Sequence, residues 1–504
     1  MIRKTLLAGA AMAMVATSPA FAETLQQALL EAYQSNPTIT GARAGLRATD
    51  ETVPIARADG LPSVNVETDY TESIVKGANA YLEPSRSVTV TPQISVPIYS
   101  GGGVRNSIKA AKTRVEAGRA NLRVTEGDLF TQVVGAYMDV IRDEAIVGLN
   151  AQNVHVLDVN LQATQDRFQV GDLTRTDVAQ SQARLAQARS DLETAQSDLI
   201  ASRESYIRLV GTTPGKLEDP PVLPGLPDAP QDAVQIALTD NPTLLAAKKN
   251  REAYGYDVGV ARSNRLPKLG LFANGQYYNY FGTIENVGTA GSAPNSGKSA
   301  QAGVQLTIPL FQGGRPAAQV RQAEAYESQA IEQTTEAERS VVSQTRSAYA
   351  AWQSAQQVIK SSQVAVDANQ LSLEGVRAEN GVGNRTILDI LNAEQELLNS
   401  QVTLVSAQRD AYVAGFALLA AMGHAEAKDL NLGGGGLYNP LANYNRVHHK
   451  IFDFDDDPRP QPVATSTANT PAQGAAVDPS MVPTLDTPVD SSAPNPAGGV
   501  INGQ

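Results

Sequence analysis

The chain contains no cysteine. Disulfides, thiolate metal sites, iron–sulfur clusters and cysteine nucleophiles are therefore excluded. Four histidines among 504 residues leave little for an imidazole metal cage. Aromatic residues are scarce, at 5% with a single tryptophan, and charged residues reach only 18%. The charge present leans acidic, with 52 Asp and Glu against 40 Lys and Arg and a net −12. A dedicated nucleic-acid binder would show a basic balance or stripe, and this chain has neither. No nucleophile–base motif and no H-x-x-x-H ligand pair occurs, so an exported hydrolase has no sequence support and no cofactor is expected. Beyond residue 22, no apolar run approaches the ~20 residues of a membrane-spanning helix.

The first residues set the compartment. Arg3 and Lys4 precede an apolar run from Thr5 to Val15, and Ala20-Phe21-Ala22 supplies a small-x-small cleavage pattern. Residues 1–22 are read as a secretory signal, with Glu23 opening the mature chain. The protein is then soluble in a bacterial periplasm, secreted, or an outer-membrane β-protein.

The chain repeats itself. Asn36-Pro37-Thr38 recurs as Asn241-Pro242-Thr243, and Leu61-Pro62 as Leu266-Pro267, both at an offset of 205 residues. Val96-Pro97-Ile98-Tyr99 matches Ile308-Pro309-Leu310-Phe311 at an offset of 212, as do Tyr137 and Tyr349, Gly171 and Gly383, Asp177 and Asp389, and Gly211 and Gly423. This is a tandem duplication, residues 23–211 and 231–423, with one loop lengthened in the second copy. A Pro-rich linker, 212–230, joins the copies.

Each copy holds a long proline-free stretch, as a helix requires. The stretches are interrupted once, at Val170-Gly171-Asp172 and at Asn380 to Asn384. Glycine and asparagine there close helical hairpins, and Thr174 and Thr386 can cap the returning helices. Helices are expected over 104–168 and 174–210, then 317–380 and 386–422, with single further helices over 25–59 and 231–264. A seven-residue apolar repeat runs through Val133, Val140, Val147, Val154, Leu161 and Phe168, and returns through Val178, Leu185, Leu192, Leu199 and Tyr206. Copy two repeats it through Trp352, Ile359, Val366 and Leu373, and through Ile390, Leu397, Leu404, Ala411 and Leu418. Such heptads indicate coiled-coil packing. At ~1.5 Å per residue the long helix is roughly 97 Å, and two shorter helices laid end to end match it.

Period-two segments lie between the helices, at about 61–75 and 86–98 and at about 266–281 and 299–311. Each exceeds the ~9–11 residues that cross a bilayer as a tilted strand. Four strands cannot seal a barrel in lipid, where open edges leave backbone groups unsatisfied. Unless these strands lie outside the membrane, several chains must pool them; two would give eight and three would give twelve, and a wide lumen continued by a helical wall favours the larger count.

Gly101, Gly102 and Gly103, and Gly313 with Gly314, recur at strand-to-helix junctions beside Pro97 and Pro309. They are read as a geometric device at a barrel–tunnel transition, not as phosphate loops. Gly433 to Gly436 is read as a flexible exit from copy two. His448-His449 is read as a solvated polar patch in the 424–457 segment. From Pro458 to the end the chain is rich in Pro, Ala and Thr, and disorder is expected.

Together these residues resemble the TolC family of outer-membrane efflux proteins. The resemblance rests on Ala32 with Asn36-Pro37, on Val96-Pro97-Ile98-Tyr99 before Gly101-Gly102-Gly103, and on Arg167-Phe168-x-Val170-Gly171 with Thr176-Asp177-Val178. Ile308-Pro309-Leu310-Phe311 before Gly313-Gly314-Arg315, and Gly383-Asn384-Arg385-Thr386-Ile387-Leu388-Asp389-Ile390-Leu391, add the second copy. It implies a mixed α+β membrane protein: a trimeric twelve-stranded outer-membrane β-barrel, four strands per chain, continued by a periplasmic α-helical coiled-coil barrel. It further implies a passive exit duct for small toxic compounds or unfolded proteins in the Gram-negative outer membrane. Implied partners are a periplasmic adaptor, an inner-membrane RND or ABC transporter and outer-membrane lipids, with no nucleic acid. By the same resemblance the tips near Gly171, Gly381 and Gly383 form the entrance and the adaptor-docking surface. Asp389 matches an acidic pore constriction, while Asn392 stands where a second acid is usual. Asp177 and Arg385 match an entrance latch in which Asn380 replaces a tyrosine. The competing reading is a periplasmic coiled-coil adaptor or scaffold without a pore. Adaptors flank their hairpins with compact β-domains, whereas here the strands are inserted at repeated positions.

Overall fold

A computed structural model describes residues 23–77, 83–284, 294–433 and 436–477. The expected secretory signal at 1–22, the added residues of the second hairpin loop and the last part of the tail lie outside these residues.

Helix α1 is Leu25–Ser35, α2 Pro37–Asp50 and α3 Thr52–Ala58. Strands β1 (Ser63–Glu72) and β2 (Arg86–Ser100) follow, then the long α4 (Gly103–Gln169) and its return α5 (Arg175–Val210). The second copy gives α6 (Pro230–Asp240), α7 (Pro242–Ser263), β3 (Lys268–Asn279), β4 (Ser296–Thr307), α8 (Arg315–Gly381) and α9 (Ile387–Met422), with a short α10 (Ala442–Val447) after it. Both long helices have 67 residues, roughly 100 Å at ~1.5 Å per residue.

The single helices expected over 25–59 and 231–264 are each broken at Asn-Pro. Proline has no N–H to donate and its ring clashes with the preceding turn. Asn36 and Asn241 therefore end one helix in extended geometry and cap the next, accepting from Thr38 N at 2.8 Å and Thr243 N at 2.9 Å. The same side chains donate to the ends of the returning helices, Asn36 to Leu209 O and Asn241 to Ala421 O, both at 2.8 Å. Each short helix is thus joined end to end with a returning one. The α1–α3 run stacks on α5, and α6–α7 on α9.

The four helical columns stand side by side. α4 packs on α5 at one flank and on α7 and α9 at the other, and α8 packs on α7 and α9. Their order is α1–α3 with α5, then α4, then α7 with α9, then α8. The main core lies where the stacks meet, around Tyr33, Phe130, Tyr137, Tyr206 and Phe416. Tyr137 Oη lies 2.9 Å from Glu23 O and 2.7 Å from Glu218 O, and its repeat counterpart Tyr349 donates to Asp228 O at 2.7 Å. These two tyrosines tether the linker to the columns.

The strands form one antiparallel sheet in the order β1-β2-β3-β4. Its register explains the alternation. Val64, Ile94, Ala273 and Ala302 are directly paired across the sheet, and one residue along so are Asn65, Gln93, Asn274 and Gln301. One face is apolar and the other polar, as a membrane strand demands. The apolar face is exposed, with Val64 at 66% and Val304 at 65%.

The junction glycines sit where the chain turns from sheet to helix. Gly101, Gly102, Gly313 and Gly314 all have positive φ, and Gly102 and Gly314 are the N-caps of α4 and α8. A Cβ on Gly101 would meet Ser263 O at 2.8 Å, and one on Gly103 would meet Ser263 Oγ at 2.6 Å. Pro97 lies at a β-bulge against β3, and Pro309 follows the end of β4.

Residues 458–477 depart from the expected disorder. They carry no regular secondary structure, yet their end is seated on α5. His448 stacks on Tyr444 and His449 Nδ1 lies 2.6 Å from Arg57 Nη1. Among the described residues, no cluster of His, Asp and Glu could hold a metal ion.

Candidate functional site

The two hairpin tips are built from the same parts. At the end of α4, Gly171 takes φ +85°, Gly171 N bonds Phe168 O at 3.0 Å and Asp172 N bonds Arg167 O at 2.9 Å. At the end of α8, Gly383 takes φ +81°, with Gly383 N on Asn380 O and Asn384 N on Glu379 O, both at 2.9 Å. This paired closure needs a left-handed residue, which glycine supplies. Gly381 is the last residue of α8.

Both returning helices then start with a capping box. Thr174 Oγ1 and N donate to Asp177 Oδ2 at 2.7 and 2.8 Å, and Thr386 Oγ1 and N donate to Asp389 Oδ2 at 2.8 and 2.9 Å. The Thr174 hydroxyl hydrogen bond, then that from its backbone N–H, holds the Asp177 carboxyl below the usual range. For Asp389 the Thr386 backbone N–H leads, and the hydroxyl follows. Asp389 therefore faces the tip as a carboxylate while it caps α9. Asn392 is exposed one turn further along and accepts from Arg184 Nη2 at 2.8 Å.

Within one chain Asp177 and Arg385 do not pair. Arg385 Nε bonds Glu379 Oε2 at 2.7 Å, and that contact raises the guanidinium pKa. Asn380 Nδ2 donates to Arg385 O at 2.8 Å, so the residue in the tyrosine position closes its own hairpin turn.

Sequence reasoning missed a buried polar group above the tips. Glu394 is 5% exposed at its side chain, receives Asn160 Nδ2 at 3.0 and 3.1 Å on its two oxygens, and pairs with Arg377 Nη2 at 3.1 Å. It binds α9 to α4 and α8 at once. Its spacing from Ile390 and Leu398, four residues either way on the buried face of α9, was the available signal.

The tips carry carboxylates, amides and the exposed guanidiniums of Arg167, Arg175 and Arg385 on elongated helices below a membrane-type sheet. The outer membrane efflux protein family model matches residues 28–212 and 233–424. The outer membrane efflux protein BepC of Brucella suis is 34% identical over 433 residues, covering 86% of this chain and 92% of that protein. The outer membrane protein TolC of Escherichia coli is 25% identical over 467 residues, covering 91% of each. In structure, the outer membrane protein VceC of Vibrio cholerae superposes with a TM-score of 0.67 at 24% identity, covering 79% of this chain and 96% of that one. The Campylobacter jejuni CmeC outer membrane channel gives 0.69 at 15% identity, over 84% and 89%.

The fold and the duplicated site define an outer-membrane channel with a periplasmic helical extension. The chain belongs to the outer membrane efflux protein family, the TolC family. It is a passive exit duct, not an enzyme and not an adaptor.

Proposed function

We propose that three copies close into one continuous duct, with a twelve-stranded barrel in the outer membrane and a helical tunnel in the periplasm. The observation that carries this is a coincidence of edges. The sheet ends in β1 and β4, and the helical layer ends in the α1–α3/α5 column and in α8. β1 follows α3 directly and β4 precedes α8, so both layers present the same two unmatched flanks. A head-to-tail contact of one flank on the other repeats until it closes a ring. α8 supports this: it buries eight residues where the equally long α4 buries 25, and leaves Val364 67% and Leu371 70% exposed.

In this reading the tips are the periplasmic entrance. Asp389 rings the narrowest point as its one acidic layer, beside the neutral Asn392, and focuses cations there. Arg385 reaches a neighbouring hairpin to latch it through Asp177, with Asn380 holding the turn. Gly171, Gly381 and Gly383 form the surface for a periplasmic adaptor, which joins the duct to an inner-membrane RND or ABC transporter. The cargo is small toxic compounds or unfolded secreted proteins.

The test is to size and image the protein extracted from outer membranes in detergent. Trimeric barrel-plus-tunnel particles are expected; a lone subunit with its own closed channel, or a water-soluble monomer, overturns the proposal. A deletion strain challenged with bile salts and dyes, with its secretome compared, identifies the cargo class.

A further inference from the structure

Beyond residue 424 the chain leaves the matched family region and runs on through the 424–457 segment into the tail. That tail is held at two places far apart in the sequence. At its start, Arg446 grips both oxygens of Asp457 at 2.6 and 2.7 Å, and Lys450 pairs with Asp455 at 2.9 Å. Arg446 also donates to Asn443 Oδ1 at 2.7 Å, and Asn443 Nδ2 donates to the buried Asp50 of α2 at 2.9 Å. At its other end, Arg203 of α5 donates to Gly474 O at 2.6 Å and to Ala476 O at 3.0 Å. Gln473 N reaches Glu204 Oε1 at 3.4 Å, and Val477 packs on the main core. Between these ends, Thr465 Oγ1 lies 3.4 Å from where a side chain on Gly211 would begin, at the α5–α1 junction.

Arg203 is the anchor of the tail on α5. Its side chain is 15% exposed and already pairs with Glu144 of α4 at 2.6 Å. A guanidinium has five donors, and those removed from water need acceptors. The tail supplies two backbone carbonyls to that guanidinium. Pro458, Pro460, Pro462 and Pro471 restrict the free segment in advance and lower the entropy lost on seating.

We infer that residues 458–477 are a built-in strap. It ties the 424–457 segment to α5 and fixes the α5–α1 stack and the α4–α5 contact from outside. Among the described residues, the equivalent α9–α6 stack has no such strap, and the strap restrains one hairpin of the duplicated pair and not the other.

Two measurements test this on the full-length, detergent-extracted protein. The chain is free of cysteine, so the double substitution E204C/Q473C reports cleanly. Oxidation is expected to form a bond within one chain, leaving denatured subunits monomeric on a gel; a bond only between chains, or none, overturns the strap. Hydrogen exchange of α5 amides over 197–210 is expected to rise about tenfold when the chain stops after Asp457, with α9 over 411–422 unchanged. Equal exchange in α5, or a uniform rise in both stacks, overturns it. If the shortened chain fails to reach the membrane, V477D in the full chain carries the same comparison. Neither readout depends on how many copies close the duct.

Discussion

The side-chain amide of Asn36 donates to the carbonyl of Leu209 at 2.8 Å while its oxygen caps α2 at Thr38 N, so one residue ends one helix, starts another and joins a third. Asn36→Ala removes a cap worth about 1 kcal/mol and a buried hydrogen bond worth about 1 kcal/mol. A loss of about 2 kcal/mol is expected by denaturant titration, with Asn36→Ser, which keeps a cap but not the reach to Leu209, falling between. Asn241→Ala should behave alike, since it repeats the bond to Ala421.

Glu394 holds three helices together above the hairpin tips. Glu394→Ala leaves Arg377 without its buried carboxylate partner, a loss of about 3–5 kcal/mol. Hydrogen exchange should rise near the start of α9 first. An unchanged exchange pattern and midpoint would show that water replaces the carboxylate at no cost.

Arg385 is exposed and paired only within its own hairpin in a single chain. Arg385→Ser should therefore leave the melting temperature unchanged, as loss of a fully solvated surface pair does. If the proposed latch to the neighbouring hairpin holds, single-channel conductance in planar bilayers should nevertheless rise. Equal conductance and an unchanged closed-state structure reject the latch.

The two capping carboxylates, Asp177 and Asp389, have lowered pKa values in the folded chain. Groups of this kind stabilise the fold fully above their unfolded-state pKa, and the contribution is lost as pH falls through the lower folded value. Acidification from neutral to below the usual carboxylate range should fray the first turns of α5 and α9 together. The exchange of the Asp177 and Asp389 amides reports it, and Thr174→Ala should fray α5 alone at neutral pH.

Ala302 and Gln301 are neighbours in β4 on opposite faces of the sheet. In phospholipid bilayers Ala302→Arg should cost about 2–4 kcal/mol of folding free energy, as lipid-facing charge does near the midplane. Gln301→Arg, facing the lumen, should cost far less. Equal costs would mean that the sheet is not in lipid.

Much of this architecture was legible because the duplication states each element twice. Tyr137 with Tyr349 and Gly171 with Gly383 marked equivalent points, and both pairs occupy matching places in the fold. The apolar and polar faces of the strands followed from simple alternation. Where the reading failed, the cause was local or distant chemistry that periodicity does not carry. The Asn-Pro breaks were visible as residues, yet the apolar pattern continues across them because the stacked helices share one face. The Asp177 and Asp389 carboxylates also cap their own helix starts, a use visible in Thr-x-x-Asp but not read from it. Glu394 reads as surface charge until α4 brings Asn160 to it. The tail reads as disordered from composition, because its acceptors are backbone carbonyls and the donor, Arg203, lies 271 residues before Gly474.

The order of strands has a consequence for assembly. The seam between β2 and β3 forms inside one polypeptide, at an effective concentration fixed by the chain, and needs no encounter. The rims at β1 and β4 have no such tether. Every duct would thus mature through a species with two bare, bonding-competent borders, and escorting that species to the bilayer before it meets the wrong border is a burden the duplication reduces but does not remove.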